Sequence, residues 1–129
     1  MRFSWYPQFL DPDATAKVQK FIQKDLKKYP DLLSRVRTFL VSVEKVENLD
    51  SYYKSGEMAK LEGALHEMRI PPTRRGGVVR IYFCVNPEDS REIMLLDAEL
   101  KHEKEPGRTD TANRRLKEYL AYLARGKQG

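Results

Sequence analysis

An α+β fold ordered β-α-α-β-β-β-α is predicted by three features of the chain. Apolar residues recur at helical spacing across residues 14–46, three short apolar runs separated by breakers follow in residues 65–96, and helical spacing returns beyond Thr109. With 129 residues, 40% of them apolar, the chain can bury one core flanked by one or two layers, so a single domain over 1–129 is expected.

The elements follow in order. Phe3 and Trp5 alternate before the breaker Pro7, which reads as a first strand. Asp11-Pro12-Asp13 then reads as a helix start, because an aspartate can cap free N–H groups and proline tolerates the first helical position. Ala14, Val18, Phe21, Ile22, Leu26 and Tyr29 fall on one face of that helix. Lys17, Lys20, Lys24, Lys27 and Lys28 take the other positions, as a solvated face or a nucleic-acid surface. Pro30 ends this helix and starts a second, carried by Leu32, Leu33, Val36, Phe39, Leu40, Val43 and Val46, which is expected to fray within residues 47–57. Leu65–Ile70, Val78–Val85 and Glu92–Leu96 read as strands, divided by Pro71-Pro72, Gly76-Gly77 and Asn86-Pro87. Such short connections force antiparallel neighbours, giving a curved antiparallel sheet with the helical hairpin on one face. A basic helix burying Ala112, Leu116, Tyr119, Leu120 and Leu123 closes the fold.

Charge and cysteine content narrow the classes of function. A net charge of +5 and a pI near 9.3 favour anionic partners, although ordinary soluble proteins share that balance. The single cysteine, Cys84, cannot form an internal disulfide, and its apolar strand context predicts a buried, inert thiol. No apolar run approaches the ~18 residues of a membrane span, and the N-terminal residues lack a signal-peptide pattern, so a cytoplasmic protein without membrane contact is expected.

Candidate chemistry collects in the second half. Arg69, Arg74, Arg75 and Arg80 lie in a stretch without acidic residues, and a guanidinium fork matches the oxygens of a phosphate. Arg74 and Arg75 sit in a turn where they could equally be solvated. Arg80 lies between Val79 and Ile81, so period-two alternation puts it, with Tyr82, on the non-core side of the sheet. If that face is open, Arg80 adds little to packing and its removal leaves the fold intact. Lys101, His102 and Lys104 follow the last strand, and a histidine can transfer protons near neutral pH. Glu99, Glu103 and Glu105 could pair with these bases as an ordinary surface mixture. His66 reads as packed or hydrogen-bonded, and Glu67 and Asp97 as salt-bridge partners of Arg69 or Arg80 rather than a catalytic pair. No metal site and no cofactor are expected: the two histidines and one cysteine lack ligand spacing, and no glycine-rich phosphate loop or nucleophile elbow is found.

Several segments in sequence carry a family resemblance. Leu61-Glu62-Gly63-Ala64-Leu65 leads into Glu67-Met68-Arg69, then come Arg80-Ile81-Tyr82-Phe83, Leu95-Leu96, Lys101-His102, Pro106 and a basic helix from Ala112 to Tyr122. This order resembles the RelE/ParE superfamily of toxins, closest to its HigB-like, phage-related branch, over about half of the chain. The resemblance implies a RelE-like fold and a toxin of a type II toxin–antitoxin pair: a metal-independent endoribonuclease that cuts mRNA in the ribosomal A site through attack by the ribose 2′-OH. By position, Arg69 and Arg80 would clamp the phosphate, while Lys101 and His102 would supply a further cation and a proton-transfer group. Arg74, Arg75, Tyr82, Lys104, Arg108, Arg114 and Arg115 would contact RNA. The implied partners are a cognate antitoxin, the ribosome with its mRNA, and operator DNA reached through the antitoxin.

The chain departs from the family pattern at three places. Glu99 or Leu100 stands where an aromatic usually precedes the Lys-Lys segment, His102 replaces the second lysine, and Arg108 is nearest to a base-stacking tyrosine. The ParE branch of the same fold inhibits DNA gyrase without catalysis, so a gyrase inhibitor and a non-toxic nucleic-acid-binding domain remain as alternatives.

Overall fold

The computed structural model describes residues 1–71, 78–101 and 108–128. The α+β class is observed, as a five-stranded sheet with helices on both faces. The order is β1 (Arg2–Trp5), α1 (Lys17–Lys24), a 3₁₀ turn (Asp25–Lys28), α2 (Pro30–Glu44), α3 (Asp50–Ser55), β2 (Met58–Lys60), β3 (His66–Ile70), β4 (Val78–Asn86), β5 (Asp89–Lys101) and α4 (Asp110–Gln128). Across the sheet the strands run β1-β5-β4-β3-β2. No helix among the described residues is long and apolar enough to cross a membrane.

The β3-β4-β5 meander is antiparallel, as its short connections require. The sheet as a whole is mixed, not antiparallel, because β1 lies parallel to β5, from Arg2 opposite Glu92 to Trp5 opposite Leu95. A tight turn fixes direction only between consecutive strands. Residues 6–88 separate β1 from its partner, and the helices carry the chain back across the sheet.

Local chemistry moves other boundaries. Asp11 does not cap a helix: its Oδ1 accepts the Asp13 N–H at 3.1 Å, and the Ala14 N–H bonds the Asp11 carbonyl at 2.9 Å. That local turn satisfies the backbone without helix, which then begins at Lys17. The second helix ends at Glu44, and residues 50–60 hold two elements beyond the expected order. Asn48 accepts the Asp50 N–H to start α3, and Gly56, at φ 82, ends it in the left-handed conformation glycine adopts without penalty. β2 then pairs Met58 with Met68 and Lys60 with His66. Six helical and three strand residues are too few to establish a period in sequence.

The main core lies between the sheet and the first three helices. Val18, Ile22, Leu26, Val36, Phe39, Leu40, Val43, Leu49 and Tyr52 meet Met68, Ile70, Val79, Ile81, Phe83, Ile93 and Leu95. A second core occupies the opposite face, where Leu65, Tyr82, Cys84, Met94 and Leu96 are covered by Ala112, Leu116 and Tyr119 of α4. The expected open face is therefore half closed. Alternate strand positions here carry Tyr82, Cys84, Met94 and Leu96, and that apolar surface drives α4 onto the sheet.

Candidate functional site

Where the apolar surface under α4 stops, the same sheet face turns polar. Period-two alternation puts Glu67 and Arg69 of β3, Arg80 and Tyr82 of β4, and Asp97, Glu99 and Lys101 of β5 on this side. The register sets them in rows: Glu67 opposite Tyr82 opposite Asp97, then Arg69 opposite Arg80 opposite Glu99, with Lys101 opposite Val78 at the strand end.

A bulge makes this layout possible. Tyr82 pairs with Asp97 and the next residue, Phe83, pairs with Leu95, so Leu96 is an extra residue in β5. Leu96 enters the core under α4 while its neighbour Asp97 reaches the Arg115 side chain on the same face. One strand thus passes from packing to polar chemistry within a single step.

Glu67 organises the arginines. Its Oε1 accepts the Arg69 Nε–H at 2.7 Å and an Arg80 Nη1–H at 2.5 Å. The Glu67 and Arg80 side chains are 6% and 15% exposed, whereas that of Arg69 is 40% exposed. Arg80 Nε is buried and has no hydrogen-bond partner among the described residues. Two guanidinium charges share one carboxylate, so the trio keeps one positive charge and several N–H donors uncommitted among the described residues. The salt bridges expected of Glu67 are present. Arg80, however, is not a lone outward charge, and the expectation that its removal spares the fold is corrected: Glu67 would lose the more buried of its two partners.

Two further positions expected to contact RNA are instead structural. Tyr82 is 1% exposed beneath α4, so its ring is unavailable for stacking on a base. Arg115 donates to the Leu96 carbonyl at 2.8 Å and to Asp97 Oδ1 at 3.2 Å, and lies 4.9 Å from the Tyr6 ring centroid. The Tyr6 hydroxyl in turn donates to Glu118 at 2.7 Å, completing a strut between α4 and the N-terminal segment. Lys101 is half-buried, and Arg108 and Arg114 are exposed. Arg74, Arg75, His102 and Lys104 lie outside the described residues.

Two carboxyls of the site hold protons more firmly than usual. Burial pushes Asp97 above the ordinary carboxylate range, against the opposing pull of Arg115. Burial also raises Glu99, and the Asp97 charge adds to the rise, while the Arg108 N–H bonded to it at 3.1 Å opposes it. Neither was singled out in sequence for proton transfer, although the alternation of Asp97, Glu99 and Lys101 with Ala98 and Leu100 was a legible sign that they share a face.

The other titratable candidates lie apart. His66 is on the opposite face of the sheet, its Nδ1 hydrogen-bonded to the Tyr53 hydroxyl and its ring 5.3 Å from that of Phe83. Burial lowers its pKa, with Lys60 contributing, so the ring is neutral at pH 7. Cys84 is fully buried, and burial pushes its thiol up to about 12. Among the described residues no three His, Cys, Asp or Glu side chains converge in a way that could hold a metal ion. The arrangement can bind an oxyanion at paired guanidiniums beside a carboxylate of raised proton affinity. No known protein family, curated protein or solved structure matches the chain.

Proposed function

We propose that this chain is a toxin of a type II toxin–antitoxin pair, acting in the cytoplasm as a metal-independent endoribonuclease on ribosome-bound mRNA. The observation that carries this reading is the pair of guanidiniums from adjacent strands, Arg69 and Arg80, gathered on Glu67 where the sheet leaves the cover of α4. The RelE/HigB-like order of motifs agrees with it, because the matched Glu-Met-Arg and Arg-Ile-Tyr-Phe segments are the ones that build the trio.

In this reading the scissile phosphate sits over Arg69 and Arg80. The ribose 2′-oxygen attacks phosphorus, and negative charge grows on the non-bridging oxygens. Donors held in place beforehand stabilise that charge without reorganising, and loss of one such donor costs about 3 kcal/mol. Glu67 supplies the fixation: it holds each guanidinium by one N–H and leaves the others for the phosphate. Lys101 adds a cation at the strand end, and Arg108 and Arg114 extend the positive surface. With Tyr82 buried, the described strand positions beside the clamp offer no exposed aromatic for stacking, so ordering of the strand falls to the ribosome. The cognate antitoxin covers the clamp or displaces α4, and operator DNA is reached through the antitoxin. No cofactor takes part.

The test is primer extension on programmed ribosomes with the wild-type chain and Arg69→Ala. Arg69 is the more exposed guanidinium, so this variant should fold normally and cut ~10²–10³-fold more slowly. Products ending in a 2′,3′-cyclic phosphate are expected, with cleavage persisting in EDTA under conditions that keep ribosomes assembled. Growth inhibition with gyrase-dependent DNA breaks and uncut mRNA would establish the gyrase-inhibitor alternative. Absence of growth inhibition on expression without an antitoxin would leave a non-toxic nucleic-acid-binding domain.

A further inference from the structure

We infer that Glu99 is the general base of this cleavage, taking the proton from the attacking 2′-OH. The inference rests on the endoribonuclease reading. Among the described residues three carboxylates share the face of the clamp, and two are committed. Glu67 is 5% exposed and its Oε1 holds both guanidiniums, while Asp97 is tied to Arg115. Glu99 is half-exposed, lies directly opposite Arg80 across the β4–β5 pair, and accepts a backbone N–H from Arg108 at 3.1 Å.

Directly opposed side chains on one sheet face start ~5 Å apart. A phosphate on the Arg80 fork therefore places the vicinal ribose hydroxyl beside Glu99. In the reaction the 2′-O–P bond forms and the P–O5′ bond breaks. The 2′-OH proton passes to a Glu99 carboxylate oxygen, and the departing 5′-oxygen takes a proton from water. The products are a 2′,3′-cyclic phosphate and a 5′-hydroxyl. Glu99 then releases its proton to solvent.

The surroundings suit that task. Asp97 and Lys101 flank Glu99 on its own strand, Arg80 and Tyr82 face it from β4, Arg69 lies beyond them on β3, and Arg108 meets it from the approach to α4. Burial and Asp97 raise its proton affinity, and Arg108 and Lys101 limit the rise. A carboxylate raised toward the working pH accepts a proton more effectively while remaining ionised.

Single-turnover cleavage on programmed ribosomes should be followed against pH for the wild type, Glu99→Gln, Glu99→Asp and Arg69→Ala. The wild-type rate should rise with pH through the range where Glu99 ionises, then level off. Glu99→Gln should bind ribosomes normally, cut ~10²–10⁴-fold more slowly and lose the rising limb. Glu99→Asp should recover part of the rate with the limb displaced. Wild-type cleavage by Glu99→Gln with an unchanged limb, alongside a slow Arg69→Ala, would overturn the inference and spare the endoribonuclease reading. Loss of ribosome binding in Glu99→Gln would assign Glu99 to docking and overturn it too. Should the Gln variant fail to fold, an undisplaced limb in Glu99→Asp is decisive against it. Uncut mRNA with the wild-type chain overturns both.

Discussion

Glu67 holds two positive charges at a position with almost no solvent, and that sets the consequence of removing it. Glu67→Gln leaves two guanidiniums against a neutral amide, one of them on a side chain only 15% exposed. Breaking a buried pair in this way costs about 3–5 kcal/mol, against less than about 1 kcal/mol for Arg69→Ala at the exposed end of the trio. Urea denaturation of the two variants should separate these values, and equal stabilities would show that Glu67 does not bind the pair together. A second expectation concerns pH. Asp97 and Glu99 bind protons more tightly in the folded chain, so the stability they contribute is full below their unfolded pKa and is lost as pH rises through their raised folded values. Relative to Glu99→Gln, the wild type should lose stability across that window in a denaturation series, and parallel curves would refute this. Of these residues the sequence made the arginines and the Glu67 salt bridge legible, through their charge and alternation. It hid which arginine is buried, because burial of Arg80 depends on what packs around its strand position, and that is set by tertiary structure.

At the scale of elements, α4 decides how much of the sheet face is available. Its apolar stripe was legible in Ala112, Leu116, Tyr119, Leu120 and Leu123, but a helical period says nothing about which surface the stripe will meet. The helical hairpin, the meander and the closing helix were read from periods long enough to be distinctive. The short α3 and β2, and the parallel pairing of β1, were not, since each depends on a brief turn or a distant partner. Leu116 is 7% exposed in the second core, so Leu116→Ala should cost about 2–5 kcal/mol. Cys84 reports on the same interface, being fully buried with its thiol raised to about 12. Alkylation of Cys84 followed by mass spectrometry should be slow in the wild type and ~10-fold or more faster in Leu116→Ala, as undocking of α4 becomes easier. Equal alkylation rates would mean that α4 does not gate access to the thiol.

Taken as a whole, the molecule is best protected where both faces of the sheet are covered. Residues 82–85 of β4 and 93–96 of β5 lie between the main core and the second one. Native-state hydrogen exchange should therefore be slowest there and faster in β2, a three-residue strand at the sheet edge. Faster exchange in β4 than in β2 would contradict a two-sided core. The parallel pairing of β1 with β5 also bears on the order in which a chain leaving the ribosome can fold. Phe3 and Trp5 emerge early, yet their partners Ile93 and Leu95 are synthesised only after every other strand. Until then the first strand has no edge to join, and the helices that follow it have only part of the sheet they cover. Closing so distant a contact comes late and slowly. The nascent chain consequently carries an unpaired aromatic strand through most of its synthesis, and protease protection of that segment should begin only once β5 has cleared the exit tunnel.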